Sequence, residues 1–87
     1  MAKYSENSGN SMEDAIFISE AQNEQEGVQA EYSYLKEILG ERDKDWKLKL
    51  QSLHSKDGHF YDKMLIEFPD GTEKAYYFDI TGFFGKY

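Results

Sequence analysis

No cysteine occurs in these 87 residues. Disulfide staples, thiolate nucleophiles and cysteine-ligated zinc are thereby excluded. The small secreted domains that depend on such staples are a poor match as well. No apolar run approaches the roughly 18 residues that a membrane span needs, and the opening "MAKYSENSGNSMEDA" lacks the apolar centre of a secretion signal. A cytoplasmic location without membrane contact is the expectation. Basic charge is also short: ten Lys and Arg stand against 17 Asp and Glu, a net charge of −7. The shortfall is local. Residues 1–45 hold four basic against eleven acidic groups, whereas residues 46–87 hold six lysines against six acids. A basic footprint of the kind that grips a phosphate backbone is missing, which argues against nucleic acid as a partner.

What remains is enough for one core and no more. Hydrophobic residues make up 39% of the chain and aromatics 16%, above the range of disordered sequences. Residues 1–12 are polar and aperiodic and read as a flexible tail; residues 13–87 read as a single domain. "DAIFISEA" (14–21) alternates like a short strand. In "NEQEGVQAEYSYLKEILGER", Asn23 with Glu26 three residues on resembles a helix capping box, and Gly40 suits the helix end. Val28, Tyr32, Leu35 and Leu39 recur at helical spacing, with Ala30, Tyr34 and Ile38 beside them. Glu24, Glu31 and Glu37 then fall on the outer, solvated side. Gly27 permits close packing or the approach of a ligand.

Three further strands follow, joined by two turns that look alike. Ser55-Lys56-Asp57-Gly58 and Phe68-Pro69-Asp70-Gly71 both suit a type I turn closed by a left-handed glycine, the three-residue hairpin. That reading pairs Leu50 with Met64 and Leu48 with Ile66, and Met64 in turn with Tyr76. One face then collects Trp46, Leu48, Leu50, Met64, Ile66, Phe68, Tyr76, Phe78 and Ile80. The fold class expected is α+β: a two-layer sandwich, β-α-β-β-β, with the helix on the apolar face of a mainly antiparallel sheet. The first strand could lie beside the second or the last. Phe83 and Phe84 are expected to fold back over the core edge.

Candidate chemistry is sparse. The expected register puts Ser52, His54 and Asp62 together on the core face, a serine, a histidine and a carboxylate within reach. No nucleophile turn or oxyanion-hole glycines accompany them, so no catalytic residue is assigned. His54 and His59 fall on opposite faces in this register, and no metal or cofactor site is assigned. The second sheet face carries Lys47, Lys49, Tyr61, Lys63, Leu65 and Tyr77, together with Gln51 and Leu53, and nothing is left in the sequence to cover it. Tyrosine with lysine on an open sheet suits a protein interface, either with an unknown partner or in a homodimer. The leading expectation is thus a non-enzymatic protein-interaction module using that face or the acidic side of the helix. The alternatives are a small-ligand or enzyme site at the helix/sheet end near His54, Asp62 and Tyr32, and single-stranded nucleic-acid binding through Tyr61 and Tyr77.

Overall fold

The structure, a computed structural model, describes residues 3–5, 8–19 and 21–85. It is an α+β sandwich with one helix among the described residues. Among the described residues five strands form one sheet: β1 (Lys3–Tyr4), β2 (Ile16–Ser19), β3 (Lys47–Lys56), β4 (His59–Glu67) and β5 (Glu73–Asp79), in spatial order β1-β2-β5-β4-β3. The strand after the tail therefore lies beside the last strand, in parallel, with Ile16 opposite Phe78. Within the stretch expected as a flexible tail, Lys3 and Tyr4 pair antiparallel with Ser19 and Ile18. The Tyr4 hydroxyl donates to the Ala30 carbonyl at 2.6 Å, and its ring meets Tyr34 at 5.1 Å. Two residues are too few to show a strand period; these distant partners hold them.

The helix α1 (Glu24–Leu39) begins as its sequence suggests. Asn23 Oδ1 accepts from the Glu26 amide at 2.9 Å, and Glu26 Oε1 reaches back to the Gln22 amide. Gly40 ends it with φ 102°, its amide donating to the Lys36 carbonyl. With 16 residues, α1 is neither long nor apolar enough to cross a membrane. Its buried side is Gly27, Ala30, Glu31 and Leu35, rotated from the expected stripe, and Val28 and Ile38 are exposed. The cause is steric. A Cβ on Gly27 would lie 2.1 Å from the Phe83 ring, so the glycine lets the C-terminal segment press against the helix there. Phe83 is 2% exposed, and Phe84 stacks on Phe60 at 4.3 Å.

Ile16, Ile18, Leu35, Trp46, Met64, Ile66, Tyr76, Phe78 and Ile80 build the core between α1 and the sheet. The second hairpin forms as expected: Gly71 has φ 87°, its amide donates to the Phe68 carbonyl at 2.9 Å, and the Phe68 amide donates to Thr72 at 2.8 Å. The first hairpin does not. Asp57 (φ 53°) and Gly58 (φ 81°) both take positive φ, and Lys56 pairs directly with His59 across a two-residue turn. Asp-Gly favours that mirror-image turn. Pro69 stands where Lys56 stands in the first hairpin and has no N–H to donate across a two-residue turn, whereas Lys56 keeps that donor.

The register of the distal half of β3 is therefore one residue off the expected one, and every side chain there changes face. Leu50 lies opposite Leu65, Gln51 opposite Met64, Leu53 opposite Asp62 and His54 opposite Tyr61. A bulge between Leu48 and Leu50 restores the expected Leu48–Ile66 pair. Leu50, expected in the core, is instead 60% exposed on the open face, and Gln51 and Leu53, expected on that face, fall on the helix-side face at the sheet edge, where Leu53 is still 55% exposed.

Candidate functional site

Asp62 on β4 points to the helix side, because its partner on β5 is the core residue Phe78. The slipped register of β3 brings Gln51 to the same side, and Gln51 Nε2 donates to Asp62 Oδ2 at 2.7 Å. From α1, one turn after Gly27, Glu31 enters the same space. It is 1% exposed, and neither of its carboxyl oxygens has a hydrogen-bond donor among the described residues. A carboxylate stripped of water without a donor is strongly disfavoured, so the group takes up a proton instead. Burial, followed by a hydrogen bond to the Asp62 carboxyl and the charge of that group, pushes Glu31 to about 10.

These groups line a cavity of about 260 Å³. Glu24, Glu31, Gln51 and Asp62 form its polar wall, and Val28, Leu53, Ile80 and Phe83 its apolar one. No lysine, arginine or histidine is among its lining residues. A larger cavity of about 310 Å³ lies at the other end of the sheet, between Lys44, Trp46, Lys47 and Pro69. The buried polar atom there is already satisfied, since Trp46 Nε1 donates to the Gly40 carbonyl at 2.9 Å. The smaller cavity holds the unsatisfied chemistry.

The residues singled out in the sequence are distributed as follows. The register separates the Ser52, His54 and Asp62 trio. Ser52 and His54 share the open face, where Ser52 Oγ lies 2.9 Å from His54 Nε2, and Asp62 is on the opposite side. A nucleophile–base pair without its orienting carboxylate does not make a triad. Tyr32 also lies apart, under the Arg42 guanidinium at 4.7 Å. His54 and His59, expected on opposite faces, are on the same one: His54 is paired with Tyr61, and His59 stacks on that ring at 6.2 Å. Among the described residues no group of three metal-ligating side chains is assembled.

His59 Nδ1 contacts Asp79 Oδ2 at 3.1 Å and Thr81 Oγ1 at 3.4 Å. Because one nitrogen makes both contacts, the imidazole cannot relay a proton between them. Thr81 instead closes a turn, its hydroxyl and amide both donating to Asp79 Oδ1.

Lys47, Lys49, Tyr61, Lys63, Leu65 and Tyr77 are on the face away from α1, which no helix or strand covers among the described residues. Two of the three lysines are engaged there: Lys49 pairs with Glu73, and Lys63 sits 5.7 Å over the Tyr77 ring. Glu13 reaches across one end of this face to Lys56 at 3.3 Å.

Sequence reasoning missed the placement of Glu31, Gln51 and Leu53; the close packing expected at Gly27 is there, against Phe83. A signal for Glu31 was present. Gly27 and Ala30 are small residues three apart, which marks the closely packed side of a helix, and Glu31 is the next position along that stripe. Known protein families, curated proteins and solved structures offer no match to this chain.

Proposed function

We propose that this chain is a binding domain, not a catalyst, and that its site is the cavity between the first half of α1 and the β3–β4 end of the sheet. One observation carries the reading. Glu31 is a fully buried carboxyl with no donor among the described residues, set against the Asp62 carboxyl at a cavity that also receives Gln51. A structural side chain at that position gains nothing from being an acid; a ligand-binding one does. A neutral carboxylic acid beside a second carboxyl can serve acid–base chemistry. Ser52 is also a lining residue, but its hydroxyl is held by His54 on the open face, away from Asp62; without an orienting carboxylate or convergent amide donors, binding is the better reading. The cysteine-free composition fits work in a reducing compartment, and we place the protein in the cytoplasm on that ground.

A second reading has its own support. Leu50, 60% exposed, joins Tyr61, Leu65 and Tyr77 on the open face, an apolar and aromatic patch suited to a protein partner or a second copy. Glu67, Glu73 and Asp79 share that face, which disfavours nucleic acid. Small-molecule fragment mapping by amide chemical shifts separates the two. Binders are expected to perturb Gln51, Leu53 and Phe83. Perturbations confined to Tyr61, Leu65 and Tyr77, or a mass that doubles with concentration, would move the working site to the open face.

A further inference from the structure

The cavity reading above leaves the ligand's chemistry open, and the lining narrows it. We propose that the cavity takes a primary alkylammonium group, its nitrogen held by Glu31, Asp62 and Gln51 and its alkyl chain by Val28, Leu53 and Phe83. This inference rests on the cavity being a ligand site. An ammonium carries three N–H donors and no acceptor. Opposite it stand three acceptors: the Glu31 carboxyl, which has no donor among the described residues, the Asp62 carboxyl beside it, and the side-chain carbonyl of Gln51, whose amide nitrogen is already committed to Asp62.

Other ligand classes fit less well. An anion would meet Glu24, Glu31 and Asp62 with no basic residue among the lining side chains. A divalent metal would want three or more hard ligands converging, and among the described residues no such set occurs. The apolar wall sets the size: about 260 Å³ admits a short alkyl chain. The excess acidity of residues 1–45, which supply Glu24 and Glu31, draws a cation toward this end.

Binding also has a proton signature. The titratable groups lining the site are Glu24 and Glu31 from α1 and Asp62 from β4; β3 and the C-terminal segment contribute none. Glu31 is protonated when the cavity is empty, so an arriving ammonium replaces that proton and one proton leaves for each cation bound. The same chemistry is offered by a free alkylamine and by a lysine side chain of another protein, and the probes distinguish them.

The test titrates the intact chain at pH 8 with n-butylamine, with Nα-acetyl-lysine amide and with n-butanol, read by amide shifts at Gln51, Leu53 and Phe83. Calorimetry in two buffers of different ionisation heat counts protons. Either amine is expected to bind at least tenfold more tightly than n-butanol and to release about one proton. Glu31→Gln is expected to weaken amine binding at least tenfold without lowering the unfolding midpoint. Preference for n-butylamine points to a free amine, and preference for the lysine amide to a protein side chain. Equal binding of n-butanol and n-butylamine at these residues would overturn the ammonium inference and leave the cavity as a ligand site. No shift at these residues with any probe at millimolar concentration would overturn both.

Discussion

The two hairpins of this sheet carry nearly the same turn sequence and adopt different turns. At β4–β5, Pro69 holds the chain in a three-residue turn closed by Gly71, and the register follows. At β3–β4, Lys56 sets no such limit, and Asp57-Gly58 forms a two-residue turn that shifts the strand by one residue. The neighbouring strands explain why each outcome is tolerated. β5 lies inside the sheet and supplies Tyr76 and Phe78 to the core, so a slip there would turn both outward. β3 is an edge strand whose distal half alternates Gln51, Ser52, Leu53 and His54, with little apolar burial at stake, and its bulge restores the register before Trp46. The core thus fixes the hairpin that serves it, with Pro69 in accord, and leaves the other free to build a cavity.

The largest expected effect comes from giving the first turn the second turn's proline. Lys56→Pro removes the strand donor at position 56 and fixes its φ, at a cost of about 3 kcal/mol by urea unfolding. The Leu53–Asp62 cross-strand contact should disappear from the NMR spectrum, and the Gln51–Asp62 hydrogen bond with it. An unchanged contact pattern in that variant would mean that the turn does not set the register.

Next in size is the consequence for Glu31, which the slipped strand helps to enclose. Its folded value of about 10 lies above the usual carboxylate value of 4.5. The folded state therefore binds a proton that the unfolded chain releases. This contribution is complete below pH 4.5 and is lost as pH rises toward 10, at up to about 1.4 kcal/mol per pH unit. Glu31→Gln should remove that slope and leave the domain more stable than the parent at pH 8. Parallel pH–stability curves for the two proteins would contradict the burial of an unpartnered acid.

Smaller effects sharpen the comparison. Gly58 and Gly71 both have positive φ, and a Cβ on either meets nothing within 4 Å. Alanine at each should then cost the backbone strain alone, about 1–2 kcal/mol and nearly the same in both, although the turns differ in type. Smallest is Pro69→Ala. Its expected cost is about 0.4–1 kcal/mol, from greater freedom of the unfolded chain. The β4–β5 register should survive it, because Met64, Tyr76 and Phe78 hold it from the core side; a shifted register would show that the proline acts alone.

How much of this was legible in the sequence follows the same division. The sandwich, the helix with its Asn23 cap, the second hairpin and the shared face of Trp46, Leu48, Met64, Ile66 and Phe78 all follow from local rules that agree with one another. The first hairpin is not determined locally, since Asp-Gly after a non-proline residue serves both turn types and only pairing to β4 chooses. The trio of Ser52, His54 and Asp62 dissolves for that reason alone. Glu31 was hidden differently. Stripes at 28-32-35-39 and at 27-31-35 overlap at Leu35, and the choice between them is made by Phe83, more than 40 residues away. An acid in such a stripe looks solvated until that contact is known.

The most direct test is a carbon-13 titration of the Glu31 side-chain carboxyl in the intact protein from pH 3 to 11. A flat response through the ordinary carboxylate range, with titration near 10, is the expected result. A transition close to 4.5 would mean that Glu31 faces water, and the cavity reading would fall with it.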